Sequence, residues 1–287
     1  MEALQKMLDS IEYIERNLDN DLFIEDIAAI AYMSKFHFQR MFNMITGYTV
    51  SEYIRNRRIT LATQELVNSR SKVIDVAMKY GYESPESFTK AFRKIHGISP
   101  SEAKKNSQSL KAYPKLSFQI QLKGDVEMDY KIVEKDVFTV VGKSIRTTTI
   151  DGENNRKIAA FWDESNQNGF TGELARNCGS LGLIGICMDF DKKQENLTYL
   201  IGAEKNIEQT PFEWEERQIP SATWVVFPVY GAMPDAMPKV WERIFSEWFP
   251  STGYEHTGGP EMEIYLSDAD PSSKDYYSEI WIPIKKK

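Results

Sequence analysis

The chain has 287 residues, and its 35 Lys and Arg against 42 Asp and Glu give a formal net charge of −7. This length exceeds one ordinary domain, so we expect two domains. No apolar run is long enough to span a membrane, and the first residues lack the apolar core of a signal peptide. Two cysteines and three scattered histidines lack the spacing of a disulfide framework or a zinc site. We therefore expect a cytoplasmic protein with no membrane partner, metal or cofactor.

An apolar stripe at helical spacing marks the start of the chain. It predicts an amphipathic helix over 3–18 that packs against the helices that follow, and a dimerisation helix is the alternative. The stripe consists of Leu4, Met7, Leu8, Ile11, Ile14 and Leu18.

The segment 34–53 recurs at a shift of fifty residues, and each copy follows a short apolar helix pattern. An internal repeat fixes an architecture more firmly than a single motif does. This one predicts two helix-turn-helix units in tandem, at about 24–46 and 73–96. The shift pairs Ser34 with Ser84, Phe38 with Phe88, Phe42 with Phe92, Ile45 with Ile95 and Gly47 with Gly97.

The ends of the two repeated helices carry capping residues. In the second copy Ser84 is a candidate N-cap, Pro85 occupies the first helical position and Gly97 allows a left-handed C-terminal turn. In the first copy Ser34 and Gly47 stand at the same places. Any short helix can show such signals, so the constant spacing of the two copies is what favours DNA binding.

Polar and basic side chains stand opposite the apolar face of each repeated helix. Glutamine can pair with adenine and arginine with guanine in the major groove, so this face is a candidate for reading base edges or contacting phosphates. The candidate DNA-binding residues are Lys35, Phe36, Gln39 and Arg40 in the first copy, with Thr89, Lys90 and Arg93 at matching positions in the second.

Charge is divided unequally along the chain. Residues 1–107 carry 15 basic against 14 acidic side chains, whereas residues 108–287 carry 20 against 28. The segment 34–58 has five basic residues and one acid, Glu52. A local basic patch, rather than the overall sign of the charge, governs phosphate contact.

A connecting helix is predicted over 50–68, between the two units. A rigid connector would set the separation of the two recognition helices, which is about 34 Å if they enter successive major grooves. One monomer could then cover an asymmetric site, without the palindrome that a symmetric dimer requires.

Residues 22–104 resemble the DNA-binding domain of AraC/XylS regulators, especially the Rob/MarA/SoxS branch. The resemblance implies a transcription regulator whose partners are double-stranded DNA and RNA polymerase. Ser87 and Ala103 replace usual aromatics, Lys104 replaces a usual arginine and Phe23 replaces a usual Ser or Thr cap. The matching marks include Ala28, Ser34, Gln39, Arg40, Phe42, Gly47, Tyr53, Arg58, Ala62, Gly81, Tyr82, Phe88, Phe92, Gly97 and Pro100.

The character of the chain changes after a linker at 108–124, of which 116–124 alternates like a strand. β-Branched and aromatic runs predict strands at 137–145, 183–190, 197–203, 223–230, 261–266 and 278–284. Helical patterns interrupt them at 155–168 and 234–248. The fold class is therefore an all-α tandem helix-turn-helix domain at 1–107 followed by an α+β domain at 125–287, in which a strand-helix-strand-strand unit occurs twice.

Residues 127–285 resemble the GyrI-like, BmrR-type effector-binding fold. The resemblance rests on the stretches VVGKSI, WVVFPVYG, EMEIYLSD and SEIWIPI together with the helix that carries Trp241. It implies a small-molecule effector, of a lipophilic or cationic kind, bound beside a glutamate in an aromatic cavity.

Strand alternation identifies the candidate ligand residues. Side chains two apart share a face, so Glu263 joins Tyr265, while Glu279 joins Tyr277 and Trp281. A cation between aromatic walls would compensate a buried carboxylate and gain cation–π attraction. The predicted ligand-binding set is Glu263, Tyr265, Glu279, Trp281, Trp224 and Tyr230. Trp162 is expected in the core.

Three other interpretations of the second domain stay open. The glutamates can lie on a solvated sheet face and bind nothing. The domain can be a hydrolase with Glu263 as base and Tyr265 as proton donor, although no nucleophile or metal motif supports that and we predict no catalytic residues. It can also be a protein-interaction module that binds no small molecule.

Overall fold

The computed structural model describes residues 2–105, 110–117, 127–176, 178–191, 196–208, 210–265 and 270–287. They form two compact units. The helical unit comprises Glu2–Lys35 and Val50–Leu122, and the sheet unit comprises Phe36–Thr49 and Lys123–Lys287. The first recognition helix therefore belongs to the sheet unit, although the sequence grouped it with residues 1–107. None of the described helices is long and apolar enough to cross a membrane.

The chain begins with a helix, as predicted for residues 3–18, and this helix packs on the next one along the chain. The Ser10 hydroxyl in the first helix donates to the Ile27 carbonyl in the second over 3.2 Å. The described helices in this part are α1 (Glu2–Arg16), α2 (Ile24–Ile30), α3 (Lys35–Thr46), α4 (Val50–Asn68), α5 (Val73–Lys79), α6 (Pro85–His96) and α7 (Pro100–Lys105).

The second helix-turn-helix unit, α5 and α6, has the predicted capping. The Ser84 hydroxyl accepts a hydrogen bond from the Ser87 amide at 3.1 Å, Pro85 starts α6, and Gly97 ends it at φ 75°. Ser87 completes a reciprocal capping box with Ser84. Phe88 and Phe92 are fully buried in a core shared with α4.

The predicted connector is confirmed as α4, but two of its arginines are held by the helical unit itself. Arg57 forms an ion pair with Glu15 of α1 at 2.7 Å. Arg58 donates to the backbone carbonyls of Leu18 and Asn20. Fewer basic side chains of the segment 34–58 are therefore available to phosphates than the sequence count suggested, because Arg57 and Arg58 already have partners inside the protein.

The sheet unit adds nine strands and two helical regions within the described residues. The helical regions are α8 (Glu153–Gln167) with α9 (Phe170–Arg176), and α10 (Ala236–Arg243), which continues through a π-helical segment (Ile244–Trp248). The strands are β1 (Lys131–Lys135), β2 (Phe138–Thr148), β3 (Cys178–Met188), β4 (Asn196–Lys205), β5 (Glu215–Ile219), β6 (Ala222–Tyr230), β7 (Tyr254–His256), β8 (Glu261–Tyr265) and β9 (Tyr277–Lys286).

The strand order shows the predicted twofold repeat. The main path runs β1-β6-β9-β8-β3-β4-β2-β5, and β7 pairs with β9. The unit β2-α8-β3-β4 therefore mirrors the unit β6-α10-β8-β9 about the β3–β8 pair. Strands β1, β5 and β7 were not predicted. The strand expected at 116–124 falls mostly outside the described residues.

The sheet curls and presents two different faces. Lys135 of the edge strand β1 reaches Glu204 of β4 at 3.2 Å although the two strands are far apart in the strand order, so the edge strand β1 approaches the other half of the sheet. We call the inner face the one that carries Met262, Ile264 and Trp281 in a common apolar core. The helix face carries Tyr199 and Ile201, which pack with Phe170 and Leu174 of α9. The candidate sites divide between these faces.

Candidate functional site

A half-buried carboxylate surrounded by aromatic side chains lies on the helix face of the sheet. The Glu263 carboxylate on β8 accepts hydrogen bonds from the Trp241 indole at 2.8 Å and the Tyr265 hydroxyl at 2.7 Å. The Tyr199 hydroxyl lies 3.5 Å away and itself accepts from the Trp162 indole at 2.9 Å. We call Glu263, Tyr265, Tyr199, Trp241 and Trp162 the Glu263 cluster.

Burial governs the ionisation of this cluster. It raises the pKa of the Glu263 carboxyl, because the hydrogen bonds from Tyr265 and Trp241 do not fully offset the loss of water. Burial beside Glu263 also raises the pKa of the Tyr265 and Tyr199 hydroxyls well above 10.0, so both stay protonated donors. The site combines a poorly solvated acid with aromatic surfaces, and a cation would stabilise its charged form.

A glycine opposite Glu263 makes room for the cluster. Gly185 on β3 pairs with Glu263 in the strand register. A Cβ atom at this position would lie 2.2 Å from the Tyr199 hydroxyl oxygen, closer than atoms can approach. The glycine therefore lets the Tyr199 hydroxyl lie over the sheet beside the carboxylate.

Glu279, the other candidate ligand carboxylate, lies on the opposite face of the sheet, so the structure does not bring it together with Glu263. In the β8–β9 register Ile264 pairs with Glu279 and Glu263 pairs with Ile280, and opposed residues of an antiparallel pair share a face. Glu279 already accepts from Lys131 at 2.9 Å and from Trp281 at 2.7 Å. Burial disfavours its charge, but the hydrogen bonds from Tyr277, Lys131 and Trp281 prevail and lower the pKa of its carboxyl.

Two other predicted ligand residues also lie away from the Glu263 cluster. Trp224 is fully buried in the inner-face core, and Tyr230 is exposed beside the Tyr277 ring. A cavity of about 290 Å³ adjoins Trp224, lined by Pro220, Ser221, Ala222, Thr223, Thr257, Gly259, Pro260, Pro283 and Ile284. None of these lining residues carries a charge that would attract a cation.

The two recognition helices present their candidate residues differently. On α6, Lys90 and Arg93 are exposed and Thr89 is half-buried. On α3, Gln39 is buried and the Arg40 side chain is only 15% exposed. Lys35 donates to Glu25 at 2.7 Å, and the Phe36 ring packs on Phe190 and His256.

Arg40 forms a buried ion pair with the sheet of its own unit. Its Nε atom donates to Oε1 of Glu261 at 2.6 Å, and Nη2 donates to the other carboxylate oxygen. Glu261 is 1% exposed and lies 3.0 Å from the Nε2 atom of His256. Although burial opposes ionisation, Arg40 and His256 lower the pKa of the Glu261 carboxyl to about 2, so it is charged at neutral pH.

Two family models match the chain. One covers the helices α3 to α7, and the other covers the strands β1 to β9 with their helices. The GyrI-like small-molecule-binding domain matches residues 128–285, more than half of the chain, and a helix-turn-helix domain matches residues 27–106. The chain belongs to the AraC-type regulators that carry a GyrI-like domain. It is thus a DNA-binding transcription regulator with a small-molecule-binding domain.

Relatives support each half of this regulator. The TetD protein of Escherichia coli transposon Tn10 is 40% identical over 98 residues, 34% of this chain and 71% of TetD. SoxS of Salmonella typhimurium is 39% identical over 92 residues, 32% of this chain and 86% of SoxS. The solved structure of SAV2435 bound to tetraphenylphosphonium shares the fold of the GyrI-like domain, with a TM-score of 0.50 and 23% identity over 55% of this chain and 94% of that one.

The regulator's carboxylate site includes residues that the sequence did not indicate. Tyr199 comes from β4 and Trp241 from α10, and neither was among the predicted ligand-binding residues. Trp162, expected in the core, is half-buried and packs its ring on Tyr265 at 5.1 Å. The alternation of β8 correctly joined Glu263 to Tyr265, but only the crossing of the helices over the sheet shows which other aromatics reach the carboxylate.

Proposed function

We propose that the Glu263 cluster binds a lipophilic cation and that this ligand controls the regulator. The observation that carries the proposal is a half-buried carboxylate whose protein donors, Trp241 and Tyr265, are neutral aromatic side chains. Among the described residues no basic side chain hydrogen-bonds to this carboxylate, so a cationic ligand would supply a counter-charge in contact with it and stack on the aromatic faces. SAV2435, which has this fold, was solved with such a cation, and tetraphenylphosphonium is therefore the probe we select.

Glu263→Gln is expected to weaken tetraphenylphosphonium binding by about 2–5 kcal/mol, because it removes one member of a buried charge pair. Isothermal titration calorimetry on the full chain measures the loss. Glu279→Gln is the matched control, since Glu279 also lies between a tyrosine and a tryptophan but on the inner face. Equal affinity in Glu263→Gln and wild type would contradict the assignment, and so would a larger loss in the control. The probe should be recovered intact, whereas turnover would favour the hydrolase alternative.

The recognition helices supply the proposed DNA contacts. Lys90 and Arg93 of α6 are the candidates that are exposed in the structure, and Thr89 is half-buried. Lys35, Phe36, Gln39 and Arg40 of α3 stay candidates for the DNA-bound state. Control of transcription also requires an effect on RNA polymerase, which we propose as a partner on the strength of the AraC-type relatives.

Arg93→Ala is expected to weaken binding to a duplex selected from a randomised pool by about 1–3 kcal/mol if Arg93 contacts a base, with relaxed preference at one position. If Arg93 contacts a phosphate, the affinity for all duplexes falls alike, and the slope of log affinity against log salt concentration falls by about one unit. Fluorescence anisotropy across a salt series distinguishes the two. Lys105→Ala removes an exposed charge outside the recognition helices and should bind like wild type. Undiminished binding by Arg93→Ala would remove Arg93 from the interface.

A further inference from the structure

The first recognition helix is docked through the face that was predicted to read DNA. Within the sheet unit, Phe36 lies against Phe190 with ring centroids 5.3 Å apart, and His37 lies against Phe249 at 4.8 Å. The backbone amide of His256 donates to the His37 ring at 3.3 Å. Arg40, which is a candidate for base contact, is buried in its ion pair with Glu261. An arginine held in this way cannot reach a base edge or a phosphate.

The groups around Glu261 are arranged to hold a guanidinium. Both carboxylate oxygens accept from Arg40, which is the two-bond geometry that makes arginine–carboxylate pairs strong and directional. The His256 Nδ1 atom accepts from the Gly258 amide at 2.8 Å, so the proton of the neutral ring lies on Nε2, facing Glu261. Burial lowers the pKa of the His256 ring, which keeps it neutral and leaves Arg40 as the counter-charge.

The Arg40 ion pair and the Glu263 cluster share one side chain. The Trp241 indole donates its N–H to Glu263, and its ring lies 5.5 Å from the Arg40 guanidinium carbon. Phe245 lies on the same guanidinium at 5.5 Å and stacks on Trp241 with an interplanar angle of 18°. Glu261 and Glu263 also stand two residues apart on the helix face of β8. A change in the charge or contacts of Glu263 therefore affects Arg40 in two ways: through the Trp241 side chain, which contacts both residues, and through the electrostatic field of the carboxylate.

We infer that the Arg40–Glu261 ion pair is an autoinhibitory contact that a cation bound at Glu263 releases, an inference that rests on the proposed function. A cation at this site competes with Trp241 for the carboxylate and places a second positive charge near Arg40. Both effects weaken the ion pair between Arg40 and Glu261. Once this ion pair breaks, α3 can leave the sheet and contact DNA. By linkage, DNA binding must strengthen cation binding by the same factor.

Glu261→Gln tests the contact because it removes the charge that holds Arg40 while keeping the size of the side chain. In the full chain without ligand, it is expected to raise affinity for the pool-selected duplex by about 5- to 150-fold, the usual range of coupling between sites. Tetraphenylphosphonium should raise the affinity of wild type for this duplex by a similar factor. It should change the affinity of the variant only slightly. Glu204→Gln, which breaks the ion pair with Lys135 elsewhere in the sheet, is the matched control and should behave as wild type.

The outcomes separate the inference from the proposed function. If tetraphenylphosphonium binds in a Glu263-dependent way but Glu261→Gln leaves DNA affinity unchanged, the autoinhibitory contact is wrong and the ligand site stands. If the probe does not bind but Glu261→Gln still raises DNA affinity, the contact is inhibitory and release by a cation is wrong.

A second measurement needs no substitution, and so does not depend on the folding of a variant. Hydrogen exchange of the α3 amides should accelerate when tetraphenylphosphonium saturates wild type, because the ligand releases the helix. The amides of β2, which contributes no residue to the Glu263 cluster, serve as the internal reference. Unchanged exchange in α3 at saturation would overturn the inference.

Discussion

Arg57→Ala is expected to destabilise the helical unit by about 3–5 kcal/mol, the cost of leaving a buried charge without its partner. Arg57 donates from Nε and Nη2 to the two carboxylate oxygens of Glu15 at 2.8 and 2.7 Å, and from Nη1 to the Tyr113 carbonyl at 2.6 Å. The two side chains are 10% and 12% exposed. The Tyr53 hydroxyl also donates to Glu15, so one carboxylate joins α1 to two residues of α4.

Urea unfolding followed by far-ultraviolet circular dichroism measures this loss. Arg55→Ala is the matched control, because Arg55 lies on the same helix and is exposed, and it should stay within about 0.5 kcal/mol of wild type. An Arg57→Ala protein that unfolds like wild type but shows a shallower salt dependence of DNA binding would make Arg57 a phosphate contact instead of a structural residue.

The ionisation of Glu15 adds a dependence on pH to the same ion pair. Burial opposes its charge, but the hydrogen bonds from Arg57 and Tyr53 prevail and keep the pKa below the usual 4.5. The folded protein therefore binds fewer protons than the unfolded chain, and the contribution of the pair is present above pH 4.5 and lost as the pH falls below it. In the Arg57→Ala protein this contribution to the fall in stability at acid pH should disappear.

The helical elements could be predicted because their signals are local. Ser84, Pro85 and Gly97 act through the helix turn next to them, and the structure confirms each. Charge was less predictable. The count around the first recognition helix could not show that Arg57 meets Glu15, which is 42 residues away in the chain. Whether an arginine faces solvent or a buried acid depends on tertiary packing.

The sheet illustrates the same division between local and long-range information. Alternation grouped Glu263 with Tyr265 and Glu279 with Trp281, since a period of two is a property of the strand alone. The register between β8 and β9 then placed the groups on opposite faces, and no residue pattern within one strand contains that register. Strands β1 and β5, with the sequences KIVEK and EERQI, were missed because charged residues interrupt them and pairing with β6 and β2 holds them extended.

Trp224→Ala is expected to destabilise the sheet unit by about 3–5 kcal/mol, the usual cost of removing a buried tryptophan from a core. Its side chain is fully buried and its ring lies 6.1 Å from that of Trp281. Trp224→Phe should cost distinctly less, because it keeps an aromatic ring and removes an indole N–H for which the described residues provide no acceptor. Chemical denaturation of wild type and the two variants measures these losses in the free energy of unfolding.

Tetraphenylphosphonium affinity of the folded Trp224→Phe protein decides between a core residue and a ligand residue. The inner-face core and the Glu263 cluster lie on opposite faces of the sheet, so substitution in the core should leave ligand affinity unchanged while stability falls. Glu263→Gln should instead weaken binding of the cation, since it removes the carboxylate that would pair with the positive charge. If Trp224→Phe weakens binding of the cation and Glu263→Gln does not, the ligand lies on the inner face, and the uncharged cavity beside Trp224 replaces the Glu263 cluster as the site.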